Sequence, residues 1–273
     1  MMKGIDVSKW QGKVDFAQVK AAGYDFVIIR AGTGNSARRK DRLFEQHYQG
    51  AKAAGLHVGA YWYSYAGSLP EVEQEARACL EVIRGKQFDM PIYIDMEEKK
   101  QLARGRGFCD GLIRTFCNAM EKTGYFAGFY TSASAAKNLV SESVRTRYSF
   151  WCAQWGPACD FAGKCSLWQN TNKGSVAGVK GRVDTDYCYQ DFPGIITKAG
   201  LNGYGKAAAP AAPAPVQKPV VTPKPAKKTY EQLAKEVWQG KWGNDPERSR
   251  KLKAAGYDPR KVKRKIRELY YRK

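Results

Sequence analysis

The chain has 273 residues, of which 43% are hydrophobic and 12% are aromatic. This length and apolar content allow one sizeable core plus a small second unit, and they exclude a wholly disordered chain. The formal net charge of +20 favours polyanionic partners, a class that includes nucleic acid, anionic membrane surfaces and the acidic polymers of a bacterial wall.

The seven cysteines are odd in number and include no CxxC pair, and the chain has only two histidines. A structural zinc site is therefore not expected, and the sequence indicates no cofactor. Cys152, Cys159 and Cys165 lie close enough in sequence to pair if they are oxidised. Residues 1–6 contain no apolar signal segment, and no apolar run approaches the length of a membrane span. We expect a monomer that is made in the cytoplasm without a cleaved signal.

Short β-like runs alternate with amphipathic helical stretches through most of the chain. The predicted strands cover residues 26–30, 58–63, 91–95, 126–130 and 150–153. The predicted helices cover residues 43–54, 71–83 and 111–122. This alternation predicts an α/β fold, an irregular TIM-like β/α barrel with its active face at the C-terminal ends of parallel strands. The helical pattern fades after about residue 150, so we expect loops to join the last strands.

Residues 206–228 are rich in proline, alanine and lysine, a composition that prevents regular structure and gives an extended linker. This linker separates a predicted barrel at residues 1–205 from a small unit at residues 229–273. Residues 206–273 carry 19 Lys and Arg against six Asp and Glu. A quarter of the chain therefore holds about two thirds of the excess positive charge, which again favours an anionic partner.

Turn signals divide the small unit into three short helices, so we predict an all-α three-helix C-terminal domain. Thr229 caps the first helix, which places Leu233 and Val237 on its apolar side. The second helix follows Pro246, and the third follows Pro259. The residues of the third helix predicted to face inward are Val262, Ile266 and Leu269.

The run PIYIDME at residues 91–97 ends a predicted strand in two carboxylates, Asp95 and Glu97. Side chains alternate along a strand, so both acids lie on one face, where they repel each other. Cleavage of a glycosidic bond uses such a pair, because one carboxyl donates a proton while the other stabilises positive charge on the sugar. In the alternative interpretation, Asp95 caps the following helix and Glu97 lies in its first turn. The motif alone favours neither interpretation.

Arginine, aromatic and acidic side chains occur at the predicted strand ends. They are Asp6, Arg30, Tyr61, Tyr63, Asp95, Glu97, Tyr130, Asp184 and Asp186. Gathered at one barrel mouth, they suit a sugar polymer, because rings stack on sugar faces and carboxylates accept hydrogen bonds from hydroxyls. In the alternative interpretation, the tyrosines and tryptophans belong to the core. Tyr61 and Tyr63 share one face of their strand, and we predict that this face lines the mouth.

Eight ordered motifs resemble glycoside hydrolase family 25, the N-acetylmuramidases that cut bacterial peptidoglycan. They are GIDVSKWQG (4–12), FVIIRAGTG (26–34), GAYWY (59–63), IYIDME (92–97), GFYTS (128–132), WCAQW (151–155), LWQ (167–169) and VDTD (183–186). The resemblance covers nearly all of residues 3–192. It implies an irregular β/α barrel that hydrolyses the β-1,4 bond between N-acetylmuramic acid and N-acetylglucosamine. The mechanism it implies is retaining, with the nucleophile supplied by the enzyme or by the acetamido group of the substrate.

The resemblance also implies roles for individual residues. Glu97 becomes the proton donor and Asp95 its partner carboxylate, while Asp6 and Asp184 complete the acidic cluster. Crowded acids would raise the pKa of Glu97 and keep it protonated near neutral pH. The tandem of Asp184 and Asp186 leaves open which of the two belongs to the cluster. The residues expected to bind substrate are Arg30, Tyr61, Tyr63, Tyr130, Trp155, Gln169 and Asp186.

The C-terminal unit is similar to the CW-seven cell-wall-binding repeat of some phage lysozymes. The residues expected to contact the wall are Trp242, Asn244, Arg248 and Tyr257. In the alternative interpretation, Trp242 and Tyr257 are the core of a domain with little else to bury. Such repeats usually occur in tandem, so the single copy here loses avidity. The third helix is also far more basic than this contact requires.

Two functions follow from the two resemblances: a modular muramidase whose basic tail holds it to the wall, or an inactive barrel that only binds peptidoglycan. The presence of both Asp95 and Glu97 favours the enzyme. Specific nucleic-acid binding is not expected, because only the charge supports it. The two-unit plan without a signal segment suggests a phage or prophage endolysin, released to the cell wall through a lesion made by a holin.

Overall fold

A computed structural model describes residues 1–205, 228–238, 241–242 and 245–270. The chain forms two compact units, Met1–Pro210 and Ala211–Lys273. Residues 206–227 of the predicted linker and Asn244 lie outside the described residues. The linker bounds of 206 and 228 therefore stay a prediction, and each unit is described by itself below.

In the larger unit, strands close into a barrel in chain order, so each strand pairs with its neighbours in sequence and the last pairs with the first. The strands are β1 (Met2–Val7), β2 (Phe26–Thr33), β3 (His57–Tyr63), β4 (Ile92–Asp95), β5 (Ala127–Ser132), β6 (Ser149–Ala153), β7 (Leu167–Gly174) and β8 (Val183–Cys188). The prediction of an irregular β/α barrel is confirmed.

Helices connect the first six strands and pack around the barrel. They are α1 (Phe16–Ala21), α2 (Phe44–Ala53), α3 (Leu69–Ile83), α4 (Lys99–Leu102), α5 (Gly105–Lys122), α6 (Ala133–Leu139) and α7 (Glu142–Arg147). Two 3-10 helices, Lys9–Gln11 and Ala37–Arg39, follow β1 and β2. No helix stands between β6 and β8, as the fading helical pattern predicted, and α8 (Phe192–Ala199) follows the last strand.

The direction of β8 departs from the prediction of a parallel barrel. Strands β1 to β7 run parallel to one another, whereas β8 is antiparallel to both β7 and β1. β7 and β8 are joined by a short loop rather than a helical crossover. β8 therefore runs beside β7 in the opposite direction. The N-terminal end of β8, and not its C-terminal end, therefore lies at the barrel mouth.

Alternation along the strands separates an outer layer from the barrel interior. Val27 and Ile29 of β2 belong to the large core between strands and helices, whereas Phe26 and Ile28 belong to the interior cluster. Glycine makes room for large rings inside: a Cβ at Gly4 would stand 2.3 Å from the Phe26 ring. Phe192 and Ile196 of α8 join this cluster, so α8 covers the end of the barrel opposite the mouth.

The described cysteines are all buried and unpaired. The Sγ atoms of Cys159 and Cys165 lie 3.9 Å apart, which is a contact between thiols and not a disulfide. Burial raises the pKa of Cys165 to about 12, so this thiol stays protonated and unreactive at neutral pH.

The smaller unit contains α9 (Tyr230–Trp238), α10 (Glu247–Ala254) and α11 (Pro259–Tyr270). Its core is made by Leu233, Val237, Leu252 and Val262, with Ile266 packed against them. The prediction of an all-α three-helix domain is confirmed.

One predicted core residue of this unit, Leu269, is instead 38% exposed. At 12 residues, α11 is longer than α9 with 9 and α10 with 8, so its last turn extends past the core. No helix in the described part of the chain combines the length and the apolar character needed to cross a bilayer.

Candidate active site

A cavity of about 350 Å³ opens at the barrel mouth, and it gathers most of the residues that the sequence analysis singled out. The predicted residues that line it are Asp6, Arg30, Tyr61, Tyr63, Asp95, Glu97, Tyr130, Trp155, Gln169 and Asp184. Tyr61 and Tyr63 both face the cavity, while Trp62 between them is fully buried. The prediction that their shared face lines the mouth is confirmed.

The end of β1 places Asp6 and Trp10 at this mouth. Ser8 caps the 3-10 helix Lys9–Gln11: its hydroxyl accepts a hydrogen bond from Trp10 N, and Gln11 Oε1 accepts one from Ser8 N. The turn ends at Gly12, whose φ of 64° favours glycine. The ring of Trp10 is 77% exposed and still lines the cavity, so the capped turn presents a flat apolar surface to a ligand.

Gln169 of β7 links three walls of the cavity. Its Nε2 donates to Asp6 Oδ2 at 2.7 Å, and its Oε1 accepts from Tyr130 Oη and Trp155 Nε1, both at 3.0 Å. These bonds fix the orientation of the amide and, through it, of the Asp6 carboxylate. Gln169 is therefore placed to orient other groups as much as to contact a ligand itself.

Arg30 is held in place by a residue that the sequence analysis did not identify, Asp41. The guanidinium of Arg30 contacts Asp41 Oδ2 at 2.7 Å through NH2 and at 2.8 Å through Nε. The same oxygen accepts from Lys9 N, and Asp41 is itself buried. Asp41, which follows β2, thus contacts both β2 and the turn after β1. In the sequence, Asp41 follows a run of three basic residues and carries no signal that it reaches back to a strand end.

Asp95 is the last residue of β4, and Glu97 follows it before α4 begins. The interpretation of Asp95 as a helix cap is wrong, because the residue at the N-cap of α4 is Glu98. The backbone explains the difference: Met96 N donates to Tyr130 O, so the chain keeps its strand pairing past Asp95. Asp95 is buried, and its Oδ1 has no hydrogen-bond partner among the described residues.

Electrostatic repulsion and burial act together on the acids of the cavity. Burial raises the pKa of Asp6, and the charges of Asp186 and Asp184 raise it further. Burial likewise raises the pKa of Asp95, where Glu97 adds to the shift and Arg30 opposes it. Reduced hydration raises the pKa of Asp184 to about 6. Four carboxyls in one cavity thus cannot all ionise freely, which favours retention of protons near neutral pH.

Glu97 stands at the solvent-exposed edge of this cluster. Reduced hydration in the cavity raises the pKa of Glu97, the Tyr63 hydroxyl lowers it, and the charge of Glu98 raises it. An acid that is accessible to a ligand and has a raised pKa suits general acid catalysis.

The structure separates Asp184 from Asp186. Asp184 is opposite Asp6 across the β1–β8 pair and lines the cavity, whereas Asp186 is opposite Gly4, one layer deeper, and does not. Trp151 Nε1 donates to Asp186 Oδ1 at 2.8 Å, so Asp186 supports a ring of the cavity floor. Because β8 is antiparallel, the residue nearer the start of the strand is the one at the mouth.

Several cavity residues were missed by the sequence analysis, namely Ser8, Trp10, Gln11, Trp151 and Asn172. Trp10 and Trp151 were considered only as members of the core, and Trp10 could have been found from its place in a turn that begins with serine and ends with glycine. Ser8, Gln11 and Asn172 carry no local signal that separates them from other polar residues of turns and strand ends.

In the smaller unit, Trp242 and Tyr257 pack against the helical core, as the structural interpretation of these two residues predicted. Trp242 Nε1 also donates to Glu236 Oε2 at 3.0 Å. Arg248 lines a separate cavity of about 230 Å³, together with Arg260 and Lys263. The fourth predicted contact, Asn244, is outside the described residues.

Known proteins share the fold of the barrel. The family model for glycosyl hydrolases family 25 matches residues 5–179, more than half of the chain. The chain belongs to glycosyl hydrolases family 25. The model for the CW_7 repeat matches residues 231–269 of this family member, so the second resemblance is confirmed as well.

Two curated relatives of this family 25 chain are lysozymes by name. The autolytic lysozyme of Clostridium acetobutylicum is 31% identical over 68% of the chain and 55% of its own length. Lysozyme M1 of Streptomyces globisporus is 28% identical over 67% of the chain and 66% of its own length. The chain thus spans between about half and two thirds of these relatives.

Solved structures agree with the barrel. The CTP1L endolysin has a TM-score of 0.62 and 28% identity, over 72% of this chain and 70% of its own. A bacterial lysozyme from Streptomyces coelicolor has a TM-score of 0.60 and 24% identity, over 74% of this chain and 98% of its own. The second likeness shows the fold alone.

Proposed function

We propose that this family 25 chain is a peptidoglycan hydrolase that cleaves the β-1,4 bond between N-acetylmuramic acid and N-acetylglucosamine, with Glu97 as the proton donor. The observation that carries the proposal is the convergence of Asp6, Asp95, Glu97 and Asp184 on one aromatic-lined cavity. The names of the lysozyme and endolysin relatives support the same substrate. Release from the cytoplasm, through a holin lesion or otherwise, stays a prediction.

In the proposed reaction, Glu97 gives its proton to the glycosidic oxygen as the bond to the leaving sugar breaks. The charge that develops on the remaining sugar is positive, and ionised carboxylates of the cluster stabilise it. Asp95 supports this role because its Oδ1 is buried, lies at the cavity and has no hydrogen-bond partner among the described residues. That oxygen is available to accept a hydrogen bond from the substrate, such as one from an acetamido N–H.

Aromatic and cationic walls supply substrate binding. Trp155 is 59% exposed and Trp10 more so, and large exposed rings at a cavity rim provide surfaces on which sugar faces stack. Arg30 is fixed by Asp41 and faces the same cavity, so it can donate to substrate oxygens without first losing side-chain freedom. Tyr61 and Tyr130 complete the walls with neutral hydroxyls, because burial raises the pKa of each phenol.

The C-terminal unit is proposed to hold the enzyme on the bacterial cell wall. Its match to the CW_7 repeat supports the wall as its target, and its excess of basic residues supports attraction to anionic wall polymers. The cavity at Arg248 is a candidate contact, and direct roles for Trp242 and Tyr257 are less favoured because both pack against the core. One repeat gives no avidity of its own, so charge is expected to contribute much of the retention.

The test is mass spectrometry of purified peptidoglycan after digestion by the unmutated chain, Glu97→Gln and Glu73→Gln. Glu73 is the matched control, because its exposed carboxylate pairs with Arg77 one turn along α3, outside the cavity. We expect new reducing ends on N-acetylmuramic acid from the unmutated chain and Glu73→Gln. Glu97→Gln should lose at least about a hundredfold in rate, the scale of general acid catalysis.

Each other result contradicts a stated part of the proposal. Reducing ends on N-acetylglucosamine would show that the bond is wrong. Equal activity of Glu97→Gln would show that the proton donor is wrong. If the unmutated chain pellets with the wall but releases no fragment, the protein is the inactive peptidoglycan-binding alternative.

A further inference from the structure

The carboxylate of Asp41 lies behind the cavity wall and contacts two segments that line the cavity, although Asp41 does not line it itself. Its Oδ2 accepts a hydrogen bond of 2.8 Å from Arg30 Nε, lies 2.7 Å from Arg30 Nη2, and accepts from Lys9 N at 3.0 Å. Its Oδ1 accepts from Leu43 N at 3.0 Å. The Asp41 side chain is only 1% exposed, so it acts on protein groups and not directly on a ligand.

The backbone around Asp41 holds this carboxylate in place. Asp41 N donates to Ala31 O of β2 at 2.9 Å, and Lys40 forms an antiparallel bridge with Gly32 of the same strand. On the other side, Phe44 N at the start of α2 donates to Asp41 O at 3.0 Å. A carboxylate whose own backbone is tied to a strand and a helix can fix the groups that it contacts.

The first of these groups is the guanidinium of Arg30, which lines the cavity. Asp41 takes the edge of the guanidinium that carries Nε and Nη2. Within the described residues Arg30 Nη1 makes no hydrogen bond, so its two N–H groups can serve a ligand.

The second group is the turn that carries Trp10. Asp41 binds this turn at Lys9 N, the first residue of the 3-10 helix Lys9–Gln11. The Trp10 ring on this helix is exposed and lines the same cavity as Arg30. One buried carboxylate therefore fixes a cationic donor and a flat ring relative to each other.

We propose that Asp41 is a positioning residue that sets how tightly the cavity binds glycan, by holding Arg30 and the Trp10 turn in place before the substrate arrives. The inference rests on the proposed function and adds a residue that controls substrate affinity. A flexible side chain must be immobilised when it binds a ligand, and a side chain that is already held avoids that cost. Asp41 makes no hydrogen bond to the cavity acids within the described residues, so we expect KM to depend on it and kcat to change little.

The test variant is Asp41→Asn, which keeps the size of the side chain and removes its charge. An amide has one oxygen acceptor, so it cannot accept from Arg30 and Lys9 on one side and from Leu43 on the other. Asp41→Glu is the second variant, because it keeps a buried negative charge for Arg30 while displacing the carboxylate. It provides a folded protein if Asp41→Asn does not fold.

The matched control is Asp89→Asn. Asp89 is also a buried carboxylate, and its Oδ2 accepts from Lys52 Nζ and Val58 N, both at 3.0 Å. It does not line the cavity, and it precedes β4, whereas the cavity acids Asp95 and Glu97 lie at and beyond the end of that strand. Thermal unfolding of the full chain should show a loss of stability in Asp89→Asn as well as in Asp41→Asn, so that only effects on the cavity distinguish them.

Kinetics are measured on soluble, uncross-linked glycan strands of alternating N-acetylglucosamine and N-acetylmuramic acid. We expect Asp41→Asn to raise KM by about tenfold and to leave kcat within about twofold, because one long side chain and one turn lose their support. Asp41→Glu should raise KM as well, and Asp89→Asn should change neither quantity. In the Arg30→Gln background, Asp41→Asn should raise KM by no more than about threefold, because only its contact with the Trp10 turn is left to lose.

NMR tests the contact and the binding without turnover. The Arg30 Nε–H signal, assigned by its loss in Arg30→Gln, should persist at neutral pH in the unmutated chain and in Asp89→Asn, and it should shift or vanish in Asp41→Asn as the proton becomes free to exchange with water. The Trp10 indole signal of Glu97→Gln protein, titrated with the same strands, gives a Kd at the cavity. Adding Asp41→Asn should weaken this Kd by the same factor as KM.

Several results would overturn the inference. They are an unchanged KM in folded Asp41→Asn or Asp41→Glu, a fall in kcat at constant KM, and an equal rise of KM in Asp89→Asn, which would reduce Asp41 to a general contribution to stability. A full tenfold effect in the Arg30→Gln background would show that Asp41 does not act through Arg30. Failure of the muramidase proposal would instead appear as intact strands with the unmutated chain, and the Kd at the cavity would still test Asp41.

Discussion

The two halves of the barrel interior differ sharply although the same strands build both. At the mouth stand Asp6, Arg30, Asp95 and Gln169. Two residues away on the same strands, and on the same faces, stand Gly4, Ile28, Tyr93 and Leu167, which with α8 fill the opposite half. A distance of two residues along each strand therefore separates a packed apolar interior from a cluster of titratable groups.

This difference indicates how the barrel separates stability from chemistry. The half of the interior opposite the mouth, here called the lower half, buries large rings and aliphatic side chains, which stabilises the closed sheet. The half at the mouth, here called the upper half, contains carboxyls of raised pKa, and these oppose folding when they ionise. Substitution of an upper-half carboxyl should therefore lower activity and raise stability. Truncation of a lower-half side chain should lower stability and leave activity nearly unchanged.

The largest effect is expected for Asp95→Asn in the upper half. The variant keeps the size of the side chain and loses the charge proposed to stabilise the transition state, so we expect kcat/KM to fall by about 100- to 1,000-fold. The free energy of unfolding should rise by about 1 kcal/mol at pH 7, because a buried, repelled carboxylate is replaced by a neutral group. Turbidity loss of peptidoglycan and urea unfolding measure the two quantities. A variant that is both less active and less stable would contradict the separation.

Leu167→Ala should act in the opposite direction. Leu167 is fully buried in the lower half, on the same strand as Gln169, so its truncation leaves a cavity under the active site. We expect the free energy of unfolding to fall by about 3 kcal/mol, as for other buried leucines. The kcat/KM of the folded protein at 20 °C should stay within about threefold of the unmutated value. Loss of activity beyond that, in protein still folded by circular dichroism, would show that the two halves are coupled.

The smallest effect concerns Asp184 and depends on pH. Reduced hydration raises its pKa to about 6 in the folded protein, from a usual value of 3.8. The folded state thus binds the proton more tightly than the unfolded state, and this contribution to stability, present below pH 4, is lost as pH rises to about 6.

Asp184→Asn lacks that titration, so its stability relative to the unmutated chain should rise across this window by about 1 to 2 kcal/mol and then level off. Unfolding free energies measured at pH 4, 5, 6 and 7 test this. A difference between the two proteins that stays constant with pH would show that Asp184 does not titrate in this range.

The sequence predicts the mouth of the barrel well because the relevant rule is local. Alternation along a strand fixes which side chains share a face, and the ends of parallel strands meet at one edge. Tyr61, Tyr63, Asp95 and Glu97 could be assigned to one surface from this alone. The resemblance to family 25 then supplied Trp155, in the loop after β6, and Gln169, in β7.

The features that the sequence did not predict depend on strand direction and on contacts between segments that are distant in the chain. The reversal of β8 leaves no trace in its own periodicity, so the choice between Asp184 and Asp186 needed the strand register. Asp41 acts through Arg30, and Glu98 contacts Tyr63, in each case across different elements. Such contacts are set by tertiary packing, which no local pattern encodes.

The pairing of β1 with β8 has a consequence for the order of events during synthesis. Asp6 and Asp184 face each other across this seam, yet nearly the whole length of the barrel sequence separates them. A ribosome must therefore complete the eighth strand before the first can find its second neighbour, and the closing contact is of the kind that forms slowly. Chains that end before β8 contain Glu97 but lack the seam between β1 and β8, so the proposed hydrolytic activity should arise only after residues 183–188 have been made.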